Sequence, residues 1–146
     1  MTTVQTHRIL TDLEETAIRS SPALALHHIL SDITTTRSLG QHHMATLSSL
    51  CPKALPGALQ LLDKNAVTKG CTPMGREVHL VTPTARTTTV PYVVLEGYCA
   101  CRAYAFQVAA GEELHCKHSL AVLLSEALGV VRTVELDELK FAALLA

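Results

Sequence analysis

Two close pairs of soft metal-ligating residues, Cys99-x-Cys101 and Cys116-x-His118, constrain this chain more than anything else in it. Fourteen residues separate the pairs, enough for a short helix to fold the second back onto the first. In an extended segment, residues two apart point to the same side. Both sulfurs of the first pair therefore reach one ion if the strand through Leu95 and Gly97 runs on into Cys99. The second pair stands just before an apolar helix, whose positive end favours a thiolate. Three thiolates and one imidazole make the closed tetrahedral set of structural zinc, one Zn²⁺ with no open position.

Two other readings fit the same residues. They are ordinary buried cysteines, which are common, or Cys116 is a nucleophile with His118 or His115 as its base. The nucleophile leaves Cys99 and Cys101 without a role, and no glycine loop able to hold an oxyanion surrounds Cys116. Metal predicts one ion per chain and loss of folding with chelator. A nucleophile predicts that alkylating Cys116 leaves the fold intact.

The rest of the chain bears on this choice. Its start, MTTVQTHRILTDLEE, has no positively charged opening followed by an apolar stretch, so no secretory leader is expected. Nothing approaches about 18 consecutive apolar residues, so no membrane span is expected either. An intracellular setting follows, where thiols stay reduced, and five cysteines suit a disulfide framework poorly. The net charge is -1 and the 12 Lys and Arg are scattered, so the sequence announces no basic face for nucleic acid. With 48% hydrophobic and 17% charged residues the chain can bury a core. Aromatics are only 3%, so Leu, Val, Ile and Ala must fill that core and few rings remain to stack on bases.

Periodicity divides the chain into helical ends around a β-rich middle. Ile9, Leu10, Leu13, Ala17 and Ile18 recur at helical spacing. A second helix starts near Pro22 and carries Ala23, Leu24, Leu26, Ile29 and Leu30 up to the threonines 34–36. A third spans 39–50 and stops before Pro52, and a short one covers 54–64 with Asn65 as its stop. Residues 76–81 and 90–98 have strand length and β-branched composition, joined through 82–89, with an earlier turn at 70–75. Two or three antiparallel strands thus lead into Cys99. A short helix at 103–110, a stronger one at 119–128 ended by Gly129, and a last one at 137–145 complete the chain. The expected class is α+β: N-terminal helices, a small antiparallel sheet leading into the metal-binding segment, then C-terminal helices. The expected division is 1–65 (helical) and 66–146 (hairpin, a finger over about 90–128, and the closing helix), packed as one compact domain.

The remaining candidates have plainer readings. Cys51 and Cys71 read as free thiols. The pairs His27-His28 and His42-His43 are poor chelates, because adjacent helical residues face different ways; they read as surface or satisfied groups. His79 reads as a strand-face residue, and His115 adjoins the ligands and competes with His118. Arg102 and Lys117 flank the ligands, either to balance a site of net charge about -1 or to touch a partner. The apolar end at 139–146 is expected to pack on the N-terminal helices or to meet a partner.

The pattern C-x-C, spacer, C-x-H resembles that of SWIM zinc fingers, which occur in plant transposases, chromatin remodellers, ubiquitin ligases and a small recombination protein. Ala121, two residues beyond His118, extends it to C-x-C…C-x-H-x-x-A, which resembles the SWIM-domain subunit of Shu complexes. The hallmark runs from Cys99 to Ala121, and the likeness extends back through 54–65 and 75–79; residues 1–50 share only helical character. The resemblance implies zinc on Cys99, Cys101, Cys116 and His118, with Ala121 as a small residue packed against the metal-bearing helix. It implies a nuclear, non-enzymatic adapter in homologous recombination. Its implied partner is a small RecA-like ATPase-fold protein or recombinase paralogue, with at most indirect or weak contact to single-stranded DNA. The alternative is a SWIM module for DNA or protein binding in a transposase-, chromatin- or ubiquitin-related assembly.

Overall fold

In the computed structural model, residues 21–87 and 89–146 are described. The helix expected around Ile9–Ile18 lies outside them.

Three helices open the described chain: α1 (Pro22–Thr36), α2 (Gln41–Leu50) and α3 (Leu55–Asp63). Proline in the first turn suits α1 and α3, since the missing N–H falls where no helical partner exists. Pro52 stands in the turn that separates α2 from α3. One clamp fixes α1 against α2. The buried His43 ring accepts the Gly40 N–H at Nδ1 (2.9 Å), and its Nε2 lies 2.5 Å from the Asp32 carboxylate on α1. His42 Nε2 reaches the same carboxylate at 3.2 Å. The pair read as satisfied is satisfied in this way. Although neighbours in sequence, the two rings come together, with centroids 3.8 Å apart.

The sheet departs from the expected two or three antiparallel strands. Its strands are β1 (Val67–Cys71), β2 (Glu77–Val81), β3 (Tyr92–Leu95), β4 (Tyr98–Cys99) and β5 (Arg132–Glu135), in the order β4-β3-β2-β1-β5. The first four are antiparallel neighbours, while β5 joins β1 in parallel. The α+β class stands; the sheet is larger and mixed. The segment expected to run as one strand over 90–98 reverses at Glu96-Gly97, so that Leu95 faces Tyr98. Gly97 has φ +70°, a conformation other residues rarely adopt, and this makes so tight a return possible.

A single π-helical turn, Tyr104–Val108, stands where a short helix was expected, and α4 (Lys117–Leu128) crosses the sheet. Leu120, Ala121 and Leu124 of α4 are fully buried, and it packs on α1, α3 and strands of the sheet. Gly129 closes it in the left-handed region, and the Arg37 guanidinium donates to the carbonyls of Glu126 and Ala127 at its end. Such a cation satisfies carbonyls that a helix terminus leaves open. The last helix, α5 (Glu138–Leu144), is capped by Asp137, whose carboxylate accepts the Lys140 N–H. It anchors beside the β1–β2 turn, where the Arg76 guanidinium lies over the buried Phe141 ring and pairs with Glu138. Of the apolar end expected to pack on N-terminal helices or meet a partner, Phe141 is thus anchored at the sheet, while Leu139 and Leu145 stay exposed.

Candidate metal centre

Each of the two ligand pairs owes its position to a local backbone device. The β3–β4 return delivers Cys99 to the buried side of the hairpin, and Cys101 follows at the entry to the π-helical turn. The hairpin reversal replaces the continuous strand that the spacing suggested. Cys116 is the N-cap of α4: its sulfur accepts the Ser119 N–H at 3.4 Å, as a capping oxygen would. The helix therefore begins at Lys117, and His118 stands in its first turn instead of ahead of it.

One ligand atom from each of Cys99, Cys101, Cys116 and His118 lies within 4.8 Å of the others. All four residues are buried, at 2, 7, 4 and 4% exposure. Backbone N–H groups support the sulfurs, with Tyr104 donating to Cys101 at 3.3 Å and Ser119 to Cys116. The Tyr92 ring of β3 stacks on His118, centroids 4.1 Å apart. His118 Nδ1 is buried with no hydrogen-bond partner, a penalty a metal would lift.

The protons show how crowded the cluster is. The approach of the Cys99 and Cys116 sulfurs to one another is the largest influence on both. It pulls the Cys116 thiol well below its ordinary range, helped by His118 and Ser119, and pushes the Cys99 thiol up. Burial raises Cys99 further and is the main cause of the rise at Cys101. One thiolate is thus favoured while its neighbours stay protonated. A bound divalent cation reverses that, because coordinated thiols are deprotonated outright. Three sulfurs and an imidazole, converging and buried, are compatible with one structural zinc.

The other candidates lie elsewhere. His115 stands outside the four-residue cluster; its Nδ1 bonds the Ser119 hydroxyl at 3.1 Å. Burial lowers its pKa and keeps it neutral. Cys51 is fully buried where α2 ends, and burial pushes its thiol up to about 11, which makes it inert. Cys71 is half-buried on β1 near Glu77. His27 and His28 are exposed, and His79 pairs with Glu126 of α4 at 2.7 Å. Asp32, His42 and His43 also place ligand atoms within 4.8 Å of one another. Because the Gly40 N–H occupies His43 Nδ1, the neutral ring carries its proton on Nε2, the nitrogen that faces Asp32. That group is a hydrogen-bonded clamp between α1 and α2. Sequence reasoning missed Tyr92 and Ser119, because nothing in the spacing links either to the ligands.

A buried Cys₃His cluster held between a β-hairpin and a helix N-terminus defines a zinc-finger protein of the SWIM type. The chain is 30% identical over 113 residues to zinc finger SWIM domain-containing protein 7 of Homo sapiens, across 75% of this chain and 76% of that one. The Danio rerio protein of the same name is 32% identical over 90 residues, 61% of this chain and 64% of its own. The Dictyostelium discoideum homolog is 20% identical over 114 residues, covering 77% and 73%. The chain belongs to the zinc finger SWIM domain-containing protein 7 family. No family model and no solved structure matches it.

Proposed function

We propose that this chain is a non-enzymatic adapter of a Shu-type complex, acting in the nucleus to promote recombinase filament assembly during homologous recombination. Cys99, Cys101, Cys116 and His118 hold one zinc ion, which clips the β3–β4 hairpin to α4. The partner is a small RecA-like ATPase-fold protein or recombinase paralogue. The observation that carries this reading is the four-ligand cluster together with Ala121, fully buried one turn beyond His118. A Cys116 nucleophile is disfavoured because its sulfur is buried among two other thiols, whereas reactive cysteines are partly exposed.

Co-expression of the chain with each RecA-fold recombinase paralogue of the same genome tests the proposal. The expected result is one heteromer with one zinc per copy of this chain. A chain that pairs with none of them, or that pairs equally well after zinc is stripped, overturns it.

A further inference from the structure

A cleft of about 400 Å³ opens onto the ligand residues Cys101, Cys116 and His118, and three cations line it as well. Lys53 comes from the turn between α2 and α3, Arg102 from the residue after Cys101, and Lys117 from between Cys116 and His118. Its other lining residues include the buried Ala54 and the exposed Ala100 and Ala103. All three cations are exposed. Lys53 lies 3.9 Å from Glu113; Arg102 and Lys117 have no ion-pair partner among the described residues. Lys117 is also held in place. Its stem lies on Gly57 of α3, where an added Cβ would sit 2.8 Å from the Lys117 Cδ. Glycine within a helix sacrifices about 1 kcal/mol against alanine, and here the space goes to a cation that borders the cleft.

We infer that this cleft receives a carboxylate side chain from an acidic segment of the protein partner, bound by Arg102 and Lys117. The inference rests on the adapter reading. Charge balance selects the class of ligand. Of the three positive charges, one is matched by Glu113 and one by a zinc site of three thiolates, leaving a surplus of about one. That surplus suits one carboxylate, which a guanidinium binds bidentately. A nucleic-acid strand instead needs a continuous basic track with stacking rings, and this chain carries net charge -1 and 3% aromatics. Because Arg102 and Lys117 adjoin ligand residues in the chain, the metal sets the spacing of the two cations, which makes this recognition dependent on zinc.

The test titrates the zinc-loaded full chain, by fluorescence anisotropy at low salt, with a labelled oligo-glutamate peptide and separately with labelled oligothymidylate. The peptide is expected to bind, and Arg102→Glu with Lys117→Glu is expected to weaken it about tenfold or more, as loss of a hydrogen bond to a charged group would. Zinc content and unfolding midpoint, measured alongside, should stay at wild-type values. Absence of peptide binding, binding indifferent to the two substitutions, or preferential binding of oligothymidylate through the same residues overturns the inference. The co-expressed heteromer separates it from the adapter reading. If the wild-type chain pairs and the charge-reversed chain pairs equally, the cleft is wrong and the adapter stands. If the wild-type chain pairs with nothing, the adapter fails, and the peptide titration still judges the cleft.

Discussion

Tyr92 of β3 lies over the imidazole of His118, with ring centroids 4.1 Å apart and planes inclined by 29°. A strand thereby fixes the orientation of a ring that stands on a helix. Groups behind metal ligands typically change metal affinity about 10–100-fold when removed. Tyr92→Ala should release zinc to a chromogenic chelator about tenfold more readily, while Tyr92→Phe, which keeps the stacked face, should match the wild type. Equal release from all three would mean that the stacking does nothing for the site.

Cys116 has two tasks, since it belongs to the ligand cluster and caps α4. Structural zinc binds finger peptides with about 10–16 kcal/mol, as large as the whole stability of an ordinary domain, about 5–15 kcal/mol. Cys116→Ser should bring zinc content close to zero and abolish the cooperative urea transition, as chelator should for the native chain. Serine remains a competent cap, so a folded, zinc-free variant would show that the cap mattered and the metal did not.

Ala121 is fully buried on the metal-bearing helix. Overfilling a tight core typically destabilises by about 1–3 kcal/mol. Ala121→Thr should lower the urea midpoint by a corresponding amount while zinc stoichiometry at saturating metal stays at one. Loss of stability without loss of stoichiometry separates packing from ligation.

The His43 clamp should also register in stability. His43→Ala removes the acceptor of the Gly40 N–H and the partner of Asp32 in one step, and a buried hydrogen-bonding group lost this way costs about 1–3 kcal/mol. His42→Ala, at an exposed ring, should cost much less. Urea unfolding of the two variants side by side, each loaded with zinc, checks the ordering.

What could be read in advance follows from how local each signal is. The Cys and His pairs lie close in sequence, and the helices that became α3, α4 and α5 carry their stop and start residues with them: Asn65, Gly129 and Asp137. The reversal at Glu96-Gly97 was hidden because Tyr92 to Tyr98 has strand composition throughout and only one glycine marks the return. The pairing of β1 with β5 was invisible for a different reason. Val67–Cys71 includes Lys69 and Gly70, weak strand formers, and its parallel partner begins at Arg132. No local pattern encodes a match at that separation. The His43–Asp32 clamp likewise joins two helices whose facing sides only the packing decides.

The parallel strand has a consequence in time. Between β1 and its parallel partner β5 lie the hairpins, the four-ligand cluster and α4, so this pairing joins segments about sixty residues apart in the chain. Contacts so distant in sequence form slowly, since loop closure must come before they contribute. On a ribosome the sheet stays open along its β1 edge until Glu135 has emerged.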